Sequence, residues 1–217
     1  MSSALNPGPE SRRAMAEALD WRLIGLLLER PRPGWIEEAE ALGAETRDGE
    51  LRGAVRVARE ASEGTYLRLF AEGGFVSPRE TTWRHREDPG RVLADIAGFY
   101  QAFAYRPRVE DPLDHVAVEA GFVGYLHLKE ARALAHGDAE SAETTASARC
   151  RFIADHLGHF AEPWADRVSA TGVPHLVAAA RALAARRSES SGPRGPDAAK
   201  DVRPKLASER NARGDPR

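Results

Sequence analysis

The chain has 217 residues, 42% hydrophobic and 29% charged, with a formal net charge of -2. That length supports one domain with a sizeable core and some tail, and charge this balanced and interspersed argues against a nucleic-acid-binding surface. Cys150 is the only cysteine, which excludes internal disulfides and thiolate metal clusters.

Ala, Leu, Arg and Glu are plentiful while Ile, Thr and Tyr are scarce, a composition that favours helix over sheet. Residues 1–9 read as a flexible start. A first helix is predicted over 11–29, with Leu19, Leu23, Leu26 and Leu27 inward, stopped by Pro31, Pro33 and Gly34. Arg12-Arg13 precedes an apolar run interrupted by Glu17, Asp20 and Arg22, so this is an amphipathic helix and not an export signal. No apolar run is long enough to span a bilayer, and a soluble, cytoplasmic protein is expected.

Helices are then predicted over 35–42, ending at Gly43, and over 50–62, with Leu51, Val55 and Ala58 inward. Gly64 breaks the pattern before a short helical stretch, Thr65 to Phe70. Residues 72–87 form the longest irregular connection, containing Gly73-Gly74 and Ser77-Pro78, and loops of that length are often functional. Asp88-Pro89 caps and starts a helix carrying Val92, Leu93, Ile96, Phe99, Tyr100 and Phe103.

The stretch from Glu110 to Lys129 organises the rest. Asp111 reads as an N-cap, Pro112 as the first helical residue, and Asp114 as a carboxylate at the positive end of the helix dipole. Val118, Phe122, Tyr125, Leu126 and Lys129 recur at helical spacing, and His115 and Glu119 are four apart, close enough to touch. Such a corner is either a strong helix cap or a binding site. A long helix over 138–157 follows, loosened at Gly158. The last helix starts at Pro174, and from Ser188 the composition predicts a disordered tail. The expected architecture is an all-α single-domain helical bundle over 10–187, followed by that tail over 188–217.

The central stretch resembles the TorD/DmsD/NarJ family of molybdoenzyme maturation chaperones. The hallmark is a proline, one residue, Asp-His, three residues, a glutamate and then apolar positions, here Pro112, Asp114, His115, Glu119 and Phe122. Tyr66 to Phe70, followed by glycines and Ser77-Pro78, and Phe152 to Val168 are similar to further family segments, so the likeness covers roughly 15–187. Ala120 and Val123 are smaller than the family's usual residues there, which changes groove shape. The resemblance implies a TorD-like helical fold with no catalytic activity and no cofactor. It also implies binding of the N-terminal leader or apo-form of a molybdopterin-dependent oxidoreductase's catalytic subunit. Neither nucleic-acid binding nor membrane insertion is expected, and the chain would be a monomer or homodimer.

An exported leader sets arginines beside an apolar segment, so its receptor needs carboxylates at the edge of an apolar groove. In that setting Asp114 and Glu119 hold basic client residues, His115 orients Glu119, Phe122 lines the apolar part, and Pro112, Ser77 and Pro78 complete the client-binding set. Two other classes stay open. One is a metal-dependent helical-bundle enzyme using His115/Glu119 and His156/His159, although no Glu-x-x-His pairs of the di-metal kind occur. The other is a helical scaffold without peptide specificity. No Gly-x-Ser-x-Gly and no phosphate-binding glycine loop is present.

Overall fold

A computed structural model describes residues 7–107 and 111–189, without the side chains of 188 and 189. Glu110 and the expected tail beyond residue 189 lie outside the described residues. The elements in chain order are α1 (Pro9–Leu27), α2 (Trp35–Glu45), α3 (Gly49–Ala58), α4 (Glu63–Phe70), α5 (Glu80–Trp83) and α6 (Pro89–Ala102). They continue with α7 (Val116–Ala135), α8 (Ala139–Phe152), a π-helical turn (Ile153–Leu157), α9 (Gly158–Ser169) and α10 (Pro174–Glu189). The fold is all-α. Among the described residues β-pairing is confined to one isolated antiparallel bridge, Arg79 to His115.

Side-chain caps set several helix starts. Asp48 accepts from Glu50 N and Leu51 N to start α3, Ser62 accepts from Thr65 N to start α4, and Asp88 accepts from Arg91 N ahead of Pro89 in α6. These satisfy first-turn N–H groups that have no helical acceptor. Gly64, expected to break the chain, lies inside the first turn of α4. Gly43, expected to end α2, lies inside it, because a side chain there would press to 3.0 Å from Val55 Cγ2 on α3. That glycine serves close packing rather than termination.

The core is built on α1 and α7, which pack along each other, with α8 on the far flank of α7 and α10 resting on α9 and α3. Leu23, Ile24, Leu26 and Leu27 of α1 and Ala117, Ala120 and Val123 of α7 are all buried in the shared core. The two backbones approach so closely that a Cβ on Gly25 would stand 3.0 Å from Ala117 O, and one on Gly124 would stand 3.1 Å from Ala18 O. Leu19, expected inward, is only half-buried at the rim of this contact.

Two expectations for the last third change. The helix expected over 138–157 becomes α8 plus the π-helical turn, and it runs on into α9 through Gly158, where a Cβ would meet Ile153 O at 2.9 Å. One extra residue in that turn rotates everything after it. His156 is consequently buried and His159 exposed, so the pair does not share the face that simple i,i+3 spacing gives.

Candidate functional site

The central helix starts later than its sequence indicates. Asp111 and Pro112 form a turn closed by His115 N to Pro112 O at 2.9 Å, and the N-cap of α7 is His115. Its Nδ1 accepts from Ala117 N at 3.2 Å, so the ring proton is on Nε2, which reaches Tyr66 Oη at 3.1 Å. Burial holds the His115 pKa below its usual value, against the raising influence of Asp111 and Asp114. Burial likewise pushes the Tyr66 hydroxyl up, with Asp111 and Glu29 adding to it. Both ring nitrogens of His115 are engaged without Glu119, so the expected His115–Glu119 contact does not form.

Residues 72–87, expected to be irregular, instead deliver a strap across the start of α7. Val116 N donates to Pro78 O and Glu80 N donates to Asp114 O, each at 2.9 Å, on either side of the Arg79–His115 bridge. The carbonyl of Ser77 accepts two indoles, Trp83 Nε1 at 3.0 Å and Trp164 Nε1 at 3.1 Å, while Ser77 Oγ donates to Thr82 Oγ1 at 2.9 Å. Pro78 is buried, and Pro112 and Leu113 remain on the surface.

Asp114 is fully enclosed, and its carboxylate is satisfied by the strap. Arg79 Nε lies 2.9 Å from Oδ1 and 3.3 Å from Oδ2, while Thr81 donates its backbone N–H at 3.2 Å and its hydroxyl at 2.6 Å to Oδ2. These charge-assisted bonds compensate the desolvation of a buried carboxylate.

Glu119 is also fully buried, and among the described residues neither of its oxygens meets a donor. Burial, and then the neighbouring Glu80 carboxylate, push its pKa well above the carboxylate range. Glu80, itself enclosed, accepts from Arg84 Nη1 at 2.5 Å and faces His156 Nδ1 at 3.1 Å. With those two groups on Glu80, the proton that lets the two carboxyls share one buried space sits on Glu119. His156 in turn places Nε2 3.3 Å from Asp95 Oδ2.

Phe122 is enclosed among rings, 4.7 Å centroid to centroid from both Tyr100 and Phe152 and 5.2 Å from Tyr105. It belongs to the core rather than to a surface. Arg79, Glu80, Thr81 and Arg84 were missed by sequence reasoning, and their only sequence signal was the length of the connection that carries them. His156 was singled out only as a metal-ligand candidate beside His159.

Alongside α7 a groove of about 670 Å³ opens between α1 and α7. Met15 and Leu128 on its walls are exposed, Tyr125 and Leu19 are half-buried, and Glu29 and Glu38 contribute to its lining. Arg22 bridges those two carboxylates at 2.6 Å each, and Glu29 Oε2 meets no hydrogen-bond donor among the described residues. Burial raises the Glu29 pKa against the lowering effect of Arg22. No three of His, Cys, Asp and Glu converge to hold a metal ion, and no helix is long and apolar enough to cross a membrane, among the described residues.

The all-α bundle thus carries a buried Asp-His corner at the head of its central helix, and the chain's family match is to molybdoenzyme maturation chaperones of the NarJ/TorD type. The sequence profile of the nitrate reductase delta subunit family matches residues 39–166, more than half of the chain, and the chain belongs to that family. No curated protein matches it.

Proposed function

We propose that this protein binds the N-terminal leader or apo-form of the catalytic subunit of a molybdopterin-dependent oxidoreductase in the cytoplasm. It shields that segment until the cofactor is inserted, then releases it for assembly or twin-arginine export, and carries out no catalysis of its own. The observation that carries this reading is the groove between α1 and α7, lined mainly by apolar residues, with Glu29 and Glu38 in its lining and Arg22 between them. A leader with basic residues beside an apolar stretch is its complement. In this reading Asp114 takes a basic client residue at the corner where α7 starts, flanked by Pro112, Ser77 and Pro78. His115, Glu119 and Phe122, all enclosed, keep the corner in shape.

Affinity purification from the native host followed by mass spectrometry tests the reading. Enrichment of a large molybdoenzyme subunit is expected. Leu128→Glu, on the exposed groove wall, should then weaken calorimetric binding of that subunit's N-terminal peptide by at least roughly tenfold, a 1.4 kcal/mol effect. Purification without any molybdoenzyme subunit, under conditions where the host makes one, would refute it.

A further inference from the structure

The carboxylate of Asp114 is completely buried, yet the cation that pairs with it comes from a side chain that is 42% exposed, Arg79. The pairing is made with one donor. Arg79 Nε is shared between Oδ1 and Oδ2, and the two terminal nitrogens of the guanidinium have no hydrogen-bond partner among the described residues. A guanidinium normally grips a carboxylate with two parallel N–H groups. Here half of that capacity is unused.

The other contacts of Asp114 do not depend on Arg79's side chain. Thr81 N and Oγ1 hold Oδ2, and the backbone of the strap is pinned by Glu80 N to Asp114 O and Val116 N to Pro78 O. Arg79 can therefore leave by a change of rotamer while the strap stays in place. What it cannot leave behind is an empty site, because an uncompensated buried carboxylate is strongly unfavourable. Only a group that brings a positive charge and N–H donors of its own can release it. Arginine meets that condition better than lysine, whose compact, strongly hydrated ammonium lacks the planar fork.

We propose that Arg79 is a resident plug in a guanidinium site on Asp114, and that an arginine of the client segment takes its place. Exchange of one guanidinium for another would admit arginine-bearing segments and leave the site closed to neutral ones. The inference rests on the client-binding reading above, but its test needs no client, so the two can fail separately.

The probe is N-acetyl-L-arginine amide, titrated calorimetrically into the full chain. Arg79→Ala should bind it at least tenfold more tightly than wild type, N-acetyl-L-lysine amide should bind that variant at least tenfold more weakly, and Arg79→Ala/Asp114→Asn should bind neither. Arg79→Gln, which keeps a polar chain over the carboxylate, replaces the Ala variant if the latter does not fold. In wild type, the Arg79 Nε–H resonance should move on adding the arginine probe at the concentration that saturates the variant. Equal affinity of variant and wild type, retention of binding in the double variant, or an unmoved Arg79 resonance would each overturn the proposal.

Discussion

Glu119→Gln should leave this protein as stable or make it more stable, even though the residue is fully buried at the centre of the site. The reason lies in its neighbours. Both oxygens lack donors and the group faces Glu80, so Glu119 is carried in the fold as a neutral acid with a pKa well above the usual range. An acid with a raised native pKa contributes most favourably below its unfolded value of about 4.3. It then loses about 1.4 kcal/mol per pH unit as pH rises toward the native pKa, because the fold must take up a proton that the unfolded chain has released. Glutamine has the same shape, needs no proton and donates to Glu80 through its amide. Urea unfolding of both proteins at pH 5, 6 and 7 should show the stability difference, variant minus wild type, growing steadily with pH. Parallel profiles, with the variant the less stable throughout, would mean that Glu119 is ionised in the native state and that the shared-proton account is wrong.

Acid should act on the fold through histidines kept neutral by burial, among them His127 with its pKa lowered to about 3 and His175 to about 4. Their contribution is complete above the unfolded value of about 6.5 and is lost as pH falls, about 2 kcal/mol each between pH 6.5 and 5. His127→Gln should remove one such share from the pH dependence of urea unfolding over that interval. Gly124→Ala should lower stability by roughly 1–3 kcal/mol, since its Cβ would press to 3.1 Å on both Ala18 O and Arg22 N of α1. Gly98→Ala on α6, with nothing within 4 Å, should instead raise it by about 0.5–1 kcal/mol, and thermal melts of the two variants should move in opposite directions.

Much of the bundle was legible in the chain because helix signals are local. Asp88-Pro89 and the apolar spacing of Val92, Ile96 and Tyr100 specify α6 without help from elsewhere, and Leu51, Val55 and Ala58 all face the core as their periodicity indicates. The Pro-x-Asp-His…Glu pattern marked the right corner of the molecule. Its internal roles were decided by contacts with distant segments. Asp111-Pro112 is a good local helix start, but His115 N is drawn into a turn with Pro112 O, and the strap pairs with residues 114–116, so the helix begins at Val116. Asp114 reads as a first-turn carboxylate and is instead the acceptor for Arg79 and Thr81, more than thirty residues away in the chain.

Sequence by itself determined helix content, the Asp88-Pro89 cap, the inner faces of α3 and α6, and the family to which the chain belongs. Tertiary structure alone decided that Gly25, Gly43 and Gly124 are packing residues, that the π-helical turn separates His156 from His159, and that Glu119 shares its space with Glu80. Periodicity and capping depend on residues within about one turn of each other. The partner of a buried charge is set by which remote segment folds over it, and no local spacing encodes that.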